Sequence, residues 1–165
     1  MKWLYLVIIL ALFGCKKKLV IALSCADNDW EIESGTFSES GGLVYIPTAF
    51  TPNGDGLNDV FRPIFPGNVK TQSLTIKKGL RKIRTLSGED AQWDGTDENN
   101  EFCPSGVYKY ELQVKENNSN TIDIKGKLSL GKDTDDLSCE CTFEDMIDPS
   151  AGFVHPTSES CANFD

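Results

Sequence analysis

The chain reads as an all-β protein, a small antiparallel β-sandwich of immunoglobulin-like type, on three observations. Val107 to Val114 places Tyr108, Tyr110, Leu112 and Val114 on one face and Lys109, Glu111 and Gln113 on the other. Ile122, Ile124, Leu128 and Leu130 then alternate with Asp123, Lys125, Lys127 and Ser129. A period of two marks strands with one buried face. The polar run Glu116-Asn117-Asn118-Ser119-Asn120 between them is a turn, so the pair is expected to form a hairpin. No helical period is convincing beyond the first residues, and several short strands separated by turn residues fit a sandwich.

The weaker strand signals lie upstream. Leu43-Val44-Tyr45-Ile46 is a short apolar run stopped by Pro47. Leu74-Thr75-Ile76 and Ile83-Arg84-Thr85-Leu86 flank Gly79 and alternate less clearly.

The N-terminus is of a different kind. Lys2 is followed by an apolar run from Trp3 to Phe13, closed by Gly14-Cys15 and then Lys16-Lys17-Lys18. A short positive start, an apolar stretch of about a dozen residues and a small residue before the cut describe a secretory signal. The run is short for a membrane span, which needs roughly 20 apolar residues. Leu12-Phe13-Gly14-Cys15 resembles a bacterial lipobox, which makes Cys15 the expected lipidation site. Cys25, after Leu19 to Ser24, is the alternative; cutting there would leave three lysines inside the apolar region, where charge is costly. Residues 1–14 are thus expected to be a lipoprotein signal and 15–42 a lipidated N-terminus with a flexible tether. The stretch from Ala26 to Gly42 is rich in Ser, Gly and acids.

Composition narrows the function. The formal charge is −9, which disfavours nucleic acid and anionic lipid surfaces as partners. Membrane attachment is expected through the N-terminal lipid. No G-x-S-x-G or H-E-x-x-H motif occurs, and the single histidine, His155, lies in a tail without periodicity. No residue reads as catalytic.

Cysteine usage gives an oxidising compartment and open pairing. Cys103, Cys139, Cys141 and Cys161 are the disulfide candidates, with Cys25 as a further one. Cys139 and Cys141 are too close in sequence to pair comfortably with one another. Cys139, Cys141, Cys161 and His155 would also make a four-ligand zinc set, but the spacing is irregular and thiols outside the cytoplasm usually oxidise.

The densest motif is Ile46-Pro47-Thr48-Ala49-Phe50-Thr51-Pro52-Asn53-Gly54-Asp55-Gly56-Leu57-Asn58-Asp59-Val60-Phe61. Pro52 fixes φ, Gly54 and Gly56 allow positive φ, and Asn53, Asp55 and Asp59 gather oxygen atoms around one bend. With the Leu57 carbonyl these are candidate calcium ligands, since calcium takes several oxygens from alternate positions of a Gly-containing loop. The other expectation is a structural turn whose side chains bond nearby amides. Trp93-Asp94-Gly95-Thr96 and Pro104-Ser105-Gly106-Val107-Tyr108-Lys109-Tyr110 follow in order. Trp93, Tyr108 and Tyr110 are expected to pack in the core rather than to hold a ligand.

These three motifs resemble the gliding-motility-associated C-terminal domain, a β-sandwich module of proteins exported by the type IX secretion system of Bacteroidota. The likeness covers about Leu43 to Gly131, giving a module over 43–131 and an irregular, acidic, Cys-containing tail over 132–165. It implies a surface export or attachment signal without catalysis, with the secretion machinery or other envelope proteins as partners. An outer-membrane lipoprotein exposed at the cell surface is the expected location. A lipid-anchored adhesin or accessory module that holds a protein or glycan is the alternative. The chain departs from the family where an aromatic I-Y-x-R-W-G run is usual; here it has Ile76-Lys77-Lys78-Gly79-Leu80.

Overall fold

The computed structural model describes residues 30–37, 44–65, 68–117 and 120–132, together with the backbone of 147–148 and 153–154. The chain is all-β, and no helix forms among the described residues. Its strands are β1 (Glu31–Ser34), β2 (Ala49–Phe50), β3 (Val69–Lys78), β4 (Arg81–Ser87), β5 (Gly106–Glu116), β6 (Asn120–Leu130), β7 (Ile147–Asp148) and β8 (Phe153–Val154). The main sheet runs β1-β6-β5-β3-β4, with β2 also on β6, and it is open rather than closed. Its pairs are antiparallel except the two-residue β2–β6 contact. β7 and β8 pair only with each other.

The expected β5–β6 hairpin forms. Tyr108 faces Leu128, Tyr110 faces Gly126, Leu112 faces Ile124 and Val114 faces Ile122. All but Gly126 are buried to within 1%. Uninterrupted alternation explains why this hairpin was legible in the sequence.

β3 and β4 are longer than their sequence signal because bulges change their phase. One lies between Thr71 and Ser73 against β5, and another between Ile76 and Lys77 against β4. A bulge inserts one unpaired residue and flips the side chains beyond it. Val69 and Thr71 therefore face the core before the shift, and Leu74 and Ile76 after it.

The second layer is made of two connections rather than a regular sheet. Residues 44–65 and 88–105 cross the inner face, tied by isolated antiparallel bridges Tyr45–Ile64, Phe61–Trp93 and Thr96–Phe102. Of the expected strand at 43–46, the described residues 44–46 contribute the Tyr45 bridge rather than a strand, because Pro47 lacks the N–H that would continue it. Ile46, Phe50, Phe61, Ala91, Trp93 and Cys103 come from this layer into the core.

The segment expected to be a tether differs over part of its length. Glu31 to Ser34 is an edge strand on β6, with Glu31 opposite Lys125 and Ile32 opposite Ile124. Lys125 Nζ lies 3.1 Å from Glu31 and 3.3 Å from Glu33, and Ser34 Oγ donates to Asp123 at 2.5 Å. Trp30 and Phe37 pack against the core, Phe37 stacking on Phe65 at 6.5 Å. Acids without periodicity look like linker, yet here opposite charge and two flanking aromatics dock them.

Candidate functional site: convergence of the three motifs

The three motifs, far apart in sequence, build one aromatic cluster. The first supplies Phe50 and Phe61, the second Trp93, and the third Tyr108 and Tyr110. Ring centroids lie 5.2 Å apart for Phe50–Trp93, 5.0 Å for Trp93–Tyr108 and 5.2 Å for Phe61–Tyr110. These are tilted or edge arrangements, which the ring quadrupole favours. All five side chains are at most 1% exposed. Trp93 Nε1–H donates to the Thr96 carbonyl at 2.8 Å, so its one polar atom is satisfied. None of these rings offers a face to an external ligand.

Backbone turns lock the motifs together. Asp94 Oδ1 accepts from Thr96 N–H at 3.0 Å and from Thr96 Oγ1 at 2.6 Å. Gly95 has φ +81°, and a Cβ there would lie 2.9 Å from Pro52 Cγ of the first motif and 3.2 Å from Leu130. Only glycine meets both demands at low cost. Cys103 N–H donates to the Gly95 carbonyl at 2.8 Å, and Tyr108 Oη donates to the Pro104 carbonyl at 2.6 Å.

Arg84, on β4, was not singled out by the sequence. Its guanidinium donates to Thr96 Oγ1, to the Asp97 carbonyl at 3.2 Å and to Asn100 Oδ1 at 3.3 Å, and lies 3.6 Å from Asp94. It staples the 94–100 turn onto the sheet. The bulge beside Ile76 hides its orientation, so only the pairing with Ile76 reveals it.

Burial alone would raise the Asp94 carboxyl, but the Thr96 hydrogen bonds and the Arg84 charge hold it below its ordinary value. Asp97 is lowered by the Asn99 and Glu101 amides, and Asp123 by Ser34 and Gln113. A carboxyl depressed on folding contributes stability above its unfolded pKa and loses it as pH falls through the folded value. Stability measured by urea titration should therefore be flat near neutrality and fall below about pH 4. Asp94→Asn should flatten part of that acid limb, and an unchanged limb would show that Asp94 does not contribute to it.

The oxygen-rich loop folds onto itself. Asp59 Oδ1 and Oδ2 accept from the Gly54 and Gly56 amides at 2.6 and 2.9 Å. Asp55 Oδ1 accepts from Leu57 N–H at 2.9 Å and its Oδ2 from Asn53 Nδ2 at 2.8 Å. Asn53 Oδ1 accepts from Asp55 N–H at 3.0 Å. The loop thus brings Asn53, Asp55, Leu57 and Asp59 onto one exposed bend, and every side-chain oxygen already meets an N–H. Among the described residues no group of three or more His, Cys, Asp or Glu side chains is arranged to hold a metal.

Cys103 is buried, and among the described residues its thiol forms no disulfide. Burial, with the nearby Asp97 charge, pushes the thiol pKa up, so little thiolate forms at neutral pH. Cys15, Cys25, Cys139, Cys141, His155 and Cys161 lie outside the described residues.

Comparison with curated proteins gives no match. The family model described as CHU_C Type IX secretion signal domain matches residues 44–130, more than half of the chain and all three motifs. The aromatic cluster, the turns that lock it and the β5–β6 hairpin all fall within that match, and the chain belongs to the type IX secretion signal domain family.

Proposed function

We propose that this chain is a non-enzymatic envelope lipoprotein whose 43–131 module serves type IX export or surface attachment. The family match over 44–130 carries this reading. The aromatic side chains of the three motifs are buried in the core, so the machinery would read the outer surface of the module. Cys15, with Cys25 as the alternative, carries the lipid, and the protein is held at the outer membrane with the module facing outward. The type IX machinery is its transient partner. The signal of residues 1–14 and the tail of 132–165 complete the division.

Two site assignments belong to the same proposal. The 53–59 loop is a structural turn that orients Pro52 onto Gly95, because its carboxylate oxygens already accept hydrogen bonds from amides of the same loop; calcium is not required for it. A metal-dependent loop would instead show a rise in Tm on adding calcium that a chelator reverses. Cys103 is the odd thiol of the five cysteines after Cys15, leaving Cys25, Cys139, Cys141 and Cys161 to form disulfides. A thiol reagent should find Cys103 unreactive in the native chain and reactive in denaturant. Rapid native labelling at Cys103, or its recovery in a disulfide-linked peptide, would refute this.

Protease treatment of intact cells, with and without a working type IX system, tests the function. Cleavage of the module only when the system works is expected. Equal cleavage in both strains would favour a lipid-anchored adhesin or accessory module for a protein or glycan. Protection in both would place the chain inside the envelope.

A further inference from the structure

Five large apolar side chains are exposed among the described residues, and four of them lie at one end of the module. Leu80 is fully exposed on the two-residue tip between β3 and β4. Lys78 Nζ, just before the tip, donates to Tyr108 Oη at 3.1 Å, which sets the tip beside Val107 at the start of β5. That start is the end of the sheet, where Gly106 pairs with Leu130, the last residue of β6. Phe102, 73% exposed, bridges to Thr96 next to Gly95, and a Cβ on Gly95 would lie 3.2 Å from Leu130. Leu57 belongs to the loop that follows Phe50. β2 runs parallel to β6 with Phe50 opposite Leu130, so this loop too passes the same end.

Exposed apolar groups gathered in one region mark a contact surface. These four stand on separate turns and strand ends, whereas a protein hot spot needs a contiguous, fully desolvated centre. Separate apolar tips suit the boundary between headgroups and acyl chains, where each is buried without a shaped partner. Both signs of charge adjoin them. Lys78, Arg81 and Lys82 flank Leu80, and Asp97, Glu98 and Glu101 precede Phe102. Such a rim can meet both the phosphate and the amine of a zwitterionic headgroup, and the chain's charge of −9 favours that surface over an anionic one. The N-terminal strand also enters from this side: β1 begins at Glu31 opposite Lys125 and ends at Ser34 opposite Asp123.

We propose that this end of the module, through Leu57, Leu80, Phe102 and Val107, docks in the interfacial layer of a zwitterionic bilayer. A lipid on the N-terminal segment would hold the same end toward the membrane. Only that last point rests on the lipoprotein reading.

Vesicle sedimentation with the mature chain, residues 15–165, made without its lipid, tests the contact. Every described residue is kept, and binding then does not depend on acylation. Binding to vesicles of phosphatidylethanolamine and phosphatidylcholine is expected, and Leu80→Asp/Phe102→Asp should weaken it by about tenfold or more. Salt raised from about 0.1 to about 1 M should change the binding less than about twofold, because apolar contact is not screened. Both side chains are exposed, so the variant is expected to keep its fold, which its Tm will verify. In the lipidated protein on the same vesicles, the indole introduced by Leu80→Trp should emit at shorter wavelength and be quenched by brominated lipid. The proposal is overturned if the unlipidated chain does not bind, if the variant binds equally well, or if that indole stays in water while the lipidated protein floats with the vesicles. A protein recovered from cells without acyl chains, yet bound to vesicles through Leu80 and Phe102, would sink the lipoprotein reading and uphold this one.

Discussion

Replacing Trp93 with alanine is expected to destabilise the module by about 3–5 kcal/mol, the range for truncating a fully buried Trp. Small domains hold only about 5–15 kcal/mol in total, so the variant should be largely unfolded under mild urea or warming. The loss has two sources. Trp93 is 0% exposed and touches both Phe50 and Tyr108, so its removal opens a cavity where the second layer meets the sheet. Its indole N–H also satisfies the Thr96 carbonyl, which would be left without that donor. Trp93→Phe separates the two effects by keeping a ring and deleting the hydrogen bond; a cost of about 1–3 kcal/mol is expected. A urea midpoint for Trp93→Ala within about 0.5 kcal/mol of the parent would show that the aromatic cluster does not hold the layers together.

Gly126→Ala is the second large effect, and it depends on a neighbour across the hairpin. A Cβ at residue 126 would lie 2.3 Å from Tyr110 Oη and 2.5 Å from its Cζ. Tyr110 is 1% exposed and packed on Phe61, so its ring cannot swing aside without opening the core. Overpacking of this kind costs about 1–3 kcal/mol. Glycine in a strand is otherwise a weakness of about 0.5–1 kcal/mol relative to alanine. The sign should therefore reverse in a Tyr110→Leu background, where Gly126→Ala becomes neutral or stabilising. Equal costs in the two backgrounds would mean that the glycine is kept for some other reason.

How much of this was legible follows from which signals were periodic. β5 and β6 alternate without a break, so their faces and turn could be written from residues 107–130 alone. β3 and β4 were visible only as fragments, since the shifts at Thr71/Ser73 and Ile76/Lys77 place Arg84 and Ile83 out of step with a simple pattern. β1 was hidden altogether. All four of its residues are exposed, so no hydrophobic pattern marks it, and its pairing depends on Lys125 more than ninety residues away. The second layer has no period because it is made of loops pinned by Phe50, Phe61 and Trp93; the motifs revealed it through their likeness to a family.

The loop at 53–59 shows a different limit. Its oxygen donors were plain, but composition does not distinguish oxygens that await a cation from oxygens already bonded to their own amides. The hydrogen bonds from Gly54, Gly56 and Leu57 make that distinction. The apolar end was equally invisible along the chain, since Leu57, Leu80, Phe102 and Val107 come to one end only through strand pairing and the turns between strands.

A module that directs export should carry that property to a reporter. Residues 26–165 would be placed after a monomeric reporter that carries an ordinary signal peptide. Its surface exposure would then be measured in cells with and without a working type IX system. Surface reporter is expected only in cells with the system, and it should be lost when Trp93→Ala unfolds the module. Reporter retained inside the envelope in both strains, although the fused module is folded, would contradict export by this module.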